Sequence, residues 1–174
     1  TSEYGTGAER QRQRSTSAHN TVFMKGENSS DVWAGFRVGR RAHVVGVESI
    51  EGDDRATVQA EHGGFCRLVK GLTHARKCSV SKHKVVIEDK LGVTCTRPVM
   101  AHFHLHPDVG VTPVDANTLR LTLATGEILI FRADALVKTE ETTWHPEFGK
   151  SIPTTRLVII ILGSQLTCEL TLGS

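Results

Sequence analysis

Leu119-Arg120-Leu121-Thr122-Leu123-Ala124-Thr125-Gly126-Glu127-Ile128-Leu129-Ile130-Phe131 reads as two strands and the turn between them. Leu119, Leu121 and Leu123 alternate with Arg120 and Thr122, the period of two that a strand shows when one face is buried. Thr125-Gly126 supplies the turn, since glycine enters positive φ without steric penalty. Glu127 to Phe131 then brings the chain back. The same grammar extends outward from this hairpin in both directions.

Towards the amino terminus, Val99 to Val109 reads as strand, and Lys77–Ser81 and Lys84–Asp89 form a hairpin across Lys82-His83. Phe65 to Val69, Ala56 to Glu61, Phe36 to Val47 and Thr21 to Met24 read as further strands, punctuated by turns at Gly52-Asp53-Asp54 and Gly26-Glu27-Asn28. Towards the carboxyl terminus come Val137–Thr143, Thr155–Leu162 and Gln165–Leu170. Nothing repeats with the 3.6-residue period of an amphipathic helix, and residues 7–18 are polar enough for loop, strand or a short helix. Short strands at this spacing specify an all-β fold, an antiparallel β-sandwich or stacked β-sheets. Residues 1–174 read as one such region, with a division into two layers placed near residues 90–100.

A hydrophobic fraction of 39% and a charged fraction of 23% are ordinary for a globular chain. A formal charge of +2 gives no argument for nucleic acid or a membrane. Its distribution is uneven: Arg10, Arg12 and Arg14 cluster, as do Arg37, Arg40 and Arg41, against acids at Glu48, Glu51, Asp53 and Asp54. Such a basic patch suits a polyanion, and a solvated face accounts for it equally. Cysteines at 66, 78, 95 and 168 lack metal-finger spacing and read as free structural thiols, with one disulfide left open. The longest apolar run, Leu157–Leu162, is strand-sized and far short of the ~18 residues that span a bilayer. The start at Thr1-Ser2-Glu3 is no signal peptide and suggests a processed or cut chain.

Three histidines alternate in Ala101-His102-Phe103-His104-Leu105-His106, so a strand would project all three from one face. Imidazoles in a row can bind a divalent metal, although a zinc site normally draws ligands from more than one strand; a half-buried polar face is the structural reading. Arg10-Gln11-Arg12-Gln13-Arg14 alternates likewise and, as a strand, would align three guanidiniums, whose planar forks suit carboxylates and sulfates. A charged edge that blocks strand pairing reads the same way. His19, His62 and His74 lie at strand starts or turns, where spacing alone chooses no role. The chain has no G-x-S-x-G elbow, no H-E-x-x-H, no phosphate loop and no dinucleotide fingerprint. Tyr4 is its single tyrosine.

Taken in order, several stretches resemble the heparinase II/III-like polysaccharide lyases. The stretch Arg14-Ser15-Thr16-Ser17-Ala18-His19-Asn20-Thr21-Val22 resembles the family's R-S-T-x-A-H-N-T-V signature. The similarity continues through Asp31-Val32-Trp33-Ala34-Gly35-Phe36, Glu61-His62-Gly63-Gly64-Phe65, His74-Ala75-Arg76, Phe103-His104-Leu105-His106-Pro107 and Trp144-His145-Pro146-Glu147-Phe148-Gly149.

That resemblance implies the β-sheet, carboxyl-terminal part of a two-part enzyme, whose amino-terminal helical toroid lies upstream and encloses the substrate cleft against it. It implies cleavage of an acidic polysaccharide beside a uronic acid by β-elimination, with the principal catalytic tyrosine on the helical part, so that this portion is inactive alone. It also implies a structural zinc, with His19 as one ligand of three and the other two upstream. Tyr4 becomes a candidate catalytic or cleft-facing group, and Arg10, Arg12 and Arg14 become candidate substrate-binding residues. Neither nucleic acid nor a membrane is expected as partner, and a periplasmic or secreted setting is favoured over the cytoplasm. The competing reading is a non-catalytic carbohydrate-binding or structural β module. A metalloenzyme built on His102, His104 and His106 is a third.

Overall fold

Alternating apolar residues on two antiparallel sheets meet face to face, and their interdigitated side chains form the core. The structure, a computed structural model, describes residues 2–173. A short helix, α1 (Ala8–Arg14), and a 3-10 turn at Thr16–Ala18 lead into β1 (Val22–Met24), β2 (Asp31–Trp33) and β3 (Arg37–Gly39). The chain continues through β4 (Val44–Glu51), β5 (Arg55–His62), β6 (His74–Ser81), β7 (Lys84–Leu91) and β8 (Val99–His104). It ends with β9 (Gly110–Pro113), β10 (Thr118–Thr122), β11 (Ile128–Ala133), β12 (Val137–Trp144), β13 (Ile152–Ile160) and β14 (Gln165–Leu172).

One sheet has four strands in the order β1-β8-β13-β12, the other eight in the order β4-β5-β6-β7-β14-β11-β10-β9, and β2-β3 is a separate hairpin. Val99, Ala101 and Phe103 of β8 point inward with Leu157 and Ile159 of β13, opposite Leu119, Leu121, Phe131, Leu166 and Cys168 of the large sheet. Phe103 and Phe131 meet edge to face across the layers, ring centroids 5.7 Å apart. Burial raises the Cys168 thiol to about 12, and all four cysteines are free. Among the described residues no helix is long and apolar enough to cross a membrane.

The all-β antiparallel reading holds, and the central hairpin has the expected register, with Leu119 opposite Phe131 and Leu121 opposite Leu129. Four expectations are corrected. The layers do not divide near residues 90–100, because β1 pairs with β8 and β7 pairs with β14, so each sheet draws strands from both sides of that segment. Phe36–Val47 is two strands, broken at Arg40, whose φ of 40° turns the chain. Val99–Val109 likewise stops at His104, before Pro107, which offers no N–H to a ladder. Phe65–Val69 is a tight turn, in which Leu68 and Val69 N–H both donate to the Phe65 carbonyl while the Phe65 ring plugs the core.

Candidate functional site

Residues 8–14 are a helix, not the strand-like alternation that would align three guanidiniums. Ala, Glu, Gln and Arg are all good helix formers, and Glu9 in the first turn with Arg12 and Arg14 in the last suits the helix dipole. Helical geometry sends the arginines apart. Arg10, only 7% exposed, forks the Gly35 carbonyl oxygen through Nε and Nη2 at 3.2 and 3.1 Å. Arg14 donates to the carbonyls of Trp33, Ala34 and Arg37. Both therefore fasten α1 to the β2-β3 hairpin. Arg12 faces the opposite way, into a cleft.

That cleft has a volume of about 410 Å³, and its lining includes Arg12, His19, Asn20, His104, Trp144 and His145. His106 also reaches it, its ring tilted against Trp144 with centroids 4.7 Å apart. Arg12 is held by both oxygens of Glu9 at 2.8 and 2.6 Å, and its hydrogen bonds lower the Glu9 carboxyl to about 2. Nη2 of Arg12 also reaches Thr143 Oγ1 at 2.5 Å and His145 Nε2 at 3.2 Å. His145 Nδ1 donates to the Lys150 carbonyl at 3.0 Å, which leaves Nε2 as an acceptor and fixes the tautomer.

His104 in the lining and His102 beneath it share one face of β8, as the sequence spacing required, but both donate to a single oxygen, the Ser17 carbonyl, at 3.2 and 2.9 Å. Burial lowers both imidazoles, His102 to about 4, so they are neutral hydrogen-bonding groups at neutral pH. His106 lies beyond the strand and does not join them. The lining thus offers one permanent cation, the imidazoles of His19, His104, His106 and His145, the amides of Gln13 and Asn20, and an indole. Such a set hydrogen-bonds the carboxylates and hydroxyls of a saccharide, while a sugar's apolar face can lie against Trp144.

Comparison with known proteins places this geometry. The heparinase II/III-like, C-terminal family model matches residues 1–171. The chain belongs to that family. Similar solved structures include the heparan sulfate lyase HepC from Pedobacter heparinus, at TM-score 0.73 and 15% identity, covering 94% of this chain and 25% of that one. A heparinase III, the BT4657 gene product, aligns at TM-score 0.74 and 15% identity over 97% of this chain and 26% of that one. Another heparinase III aligns at 0.72 and 17%, over 99% and 28%. No curated protein matches by sequence. The chain therefore spans about a quarter of the length of those structures and shares the fold of their β-sandwich.

Within this heparinase II/III-like domain the H-N-T segment opens on the cleft, with His19 exposed at its rim. A zinc ion does not fit the chain's own donors: among the described residues, no three His, Cys, Asp or Glu side chains converge as a metal site. Tyr4 is absent from the cleft lining. It is 59% exposed and packs with Phe36 and Phe148 at centroid distances of 5.6 and 4.9 Å. Sequence reasoning missed that His104, His106, Trp144 and His145 meet His19, because that juxtaposition depends on pairing between β8, β13 and β12. It also missed a buried polar chain behind the cleft. Gly64 N–H donates to His62 Nδ1 at 3.2 Å, His62 Nε2 to His74 Nδ1 at 3.3 Å, and His74 Nε2 to Asp89 Oδ1 at 2.6 Å.

Proposed function

We propose that this domain is the β-sheet half of a lyase that cleaves a uronate-containing acidic polysaccharide by β-elimination, and that it is inactive without an upstream helical domain. The supporting observation is the cleft itself: Arg12, His19, Asn20, His104 and His145 converge beside Trp144 in a chain of the heparinase II/III-like family. In β-elimination a base removes the proton at C5, the C5–H electrons form the C4–C5 double bond, and the C4–O4 bond breaks as O4 takes a proton. That C5 proton is weakly acidic until the neighbouring carboxylate is neutralised. Arg12 and the imidazoles of the lining would hydrogen-bond that carboxylate and the sugar hydroxyls. The acid and base would come from the helical domain. Arg10 and Arg14, with their forks on backbone carbonyls, serve by holding α1 so that Arg12 faces the cleft. Tyr4 packs with Phe36, Phe148 and Arg10 outside the cleft lining and has no part in the proton transfer. His19 would contribute one ligand to a zinc whose other ligands lie outside this chain, and no chemical step is routed through that ion.

The test is ultraviolet absorbance from unsaturated uronate product, measured for the full-length protein on heparan, heparin and alginate-like polymers. Wild type is expected to form product and to carry about one zinc, as a closed structural site would, with His19→Ala losing the metal. The 174-residue domain alone is expected to form none. Turnover by that domain would sink the division of labour. Tight polymer binding without cleavage by the full-length protein would make this a binding module.

A further inference from the structure

Arg76 stands where the two sheets and the cleft meet. On β6 it lies directly opposite Asp89 of β7, and its Nε and Nη2 fork that carboxylate at 2.7 and 2.8 Å. The Asp89 side chain is fully buried and also accepts His74 Nε2. Burial pushes the Asp89 carboxyl up, but the bonds from His74 and Arg76 outweigh it, and its pKa ends below the ordinary value. The Arg76 guanidinium also lies over the Phe103 ring of the small sheet, 5.4 Å from its centroid. With the fork and the plane both fixed, Nη1 has one direction left, and it donates to the Asn20 carbonyl oxygen at 2.6 Å.

Asn20 is the residue this bond controls. Its side-chain Oδ1 accepts the His104 backbone N–H at 2.7 Å, and Asn20, His19 and His104 all line the cleft. The His19–Asn20 segment is exposed; His19 N–H donates to the Thr16 carbonyl and Thr21 N–H to the His19 carbonyl, and Arg76 adds the tether from the large sheet at the Asn20 carbonyl. We infer that Arg76 is a positioning residue for the cleft. Anchored by Asp89 and the His62–His74 pair, it fixes the Asn20 main chain and so sets where His19 and His104 meet an acidic saccharide. The arginine cannot be replaced by lysine in this role, because a single ammonium cannot fork Asp89 and reach Asn20 together. The functional part of this inference rests on the cleft being the saccharide site; the structural part does not.

The experiment is Arg76→Lys in the full-length protein, which keeps a cation opposite Asp89. Its crystal structure should show the His19–Asn20 segment displaced and the Asn20–His104 bond lost; an unmoved segment overturns the inference. On heparan sulfate, kcat/KM should fall about tenfold or more, as for other misplaced site groups. In a His19→Ala background the same change should have little further effect, because the two act through one element. Full multiplication of the two losses would mean a merely structural arginine. Asn20→Ala keeps the residue-20 carbonyl and its bond from Arg76 and removes only the side-chain bond to the His104 N–H. Its main chain at residues 19–20 should stay in place; a displacement equal to that in Arg76→Lys would show that the Asn20 side chain, not Arg76, positions the segment and would overturn the inference. If Arg76→Lys does not fold, Arg76→Gln takes its place, and a crystal structure with the His19–Asn20 segment unmoved rejects the inference. Should wild type neither cleave nor bind the polymer, the functional reading fails, while the crystallographic comparison still decides the positioning claim.

Discussion

The molecule keeps two pairs of neighbouring histidines, each with one buried ring, and it treats them in opposite ways. His102 and His104, at the cleft, both end on one neutral oxygen, the Ser17 carbonyl. His62 and His74, in the large sheet, end on a carboxylate that an arginine also holds. The first pair has no acid to welcome a proton, so burial leaves it neutral. The second belongs to a chain whose charges are balanced at its far end by Arg76 and Asp89. Buried imidazoles alone therefore say little; the acceptor at the end of the hydrogen bond decides whether a site is a passive floor or an anchored strut.

Removing the strut's acceptor should have the largest effect. Asp89→Ala leaves the Arg76 guanidinium and the His74 ring without their shared partner, and breaking a buried pair in this way costs about 3–5 kcal/mol, readable in urea unfolding at neutral pH. The floor should reveal itself through pH. His102 has a native pKa near 4 against an ordinary 6.5, so the unfolded chain takes up the proton first. Its contribution is complete above about 6.5, is lost as pH falls towards 4, and amounts to on the order of 3 kcal/mol at about 1.4 kcal/mol per unit. His102→Gln, which can still donate to Ser17, should flatten that slope in unfolding measured across the window. A methyl at Gly64 tests the start of the strut: its Cβ would lie 2.6 Å from the Ser29 carbonyl oxygen and 2.8 Å from Ala42 Cβ. Displacing that turn should cost about 1–3 kcal/mol and loosen His62, seen as a downfield-to-random-coil move of its ring signals. Least of all should come from β4, whose eight residues are all exposed: Ile50→Ser should shift stability by no more than about 0.5 kcal/mol.

Legibility in the sequence followed how local each signal was. The hairpin at 119–131 could be read because Thr125-Gly126 and the alternating leucines lie within a few residues of one another. Gly126 indeed sits at a φ of +92°. Residues 8–14 stayed open between loop, strand and short helix because Arg-Gln alternation is compatible with both periods; the helix is settled by the carbonyls of residues 33–37, which no local pattern reveals. Phe65 to Val69 misled for the converse reason: an apolar cluster was read as a strand, while one ring, Phe65, needed to reach the core and the backbone needed only a turn. For the site, the H-N-T stretch pointed to His19 through family resemblance. Arg76 and Asp89 were invisible as partners, because thirteen residues separate them and only the β6–β7 register brings them opposite.

The strand order of the large sheet also dictates a timetable. β14 lies between β7 and β11, so residues 165–172 are the seam that joins β4–β7 to β9–β11. On a ribosome the earlier strands would emerge with an open margin on each half, and neither half could close until the last strand arrived. Pairings over such sequence separations are slow to form. A ribosome-stalled chain that stops after β13 should therefore remain protease-sensitive in both halves, and the domain should snap shut only once residue 172 is clear of the exit tunnel.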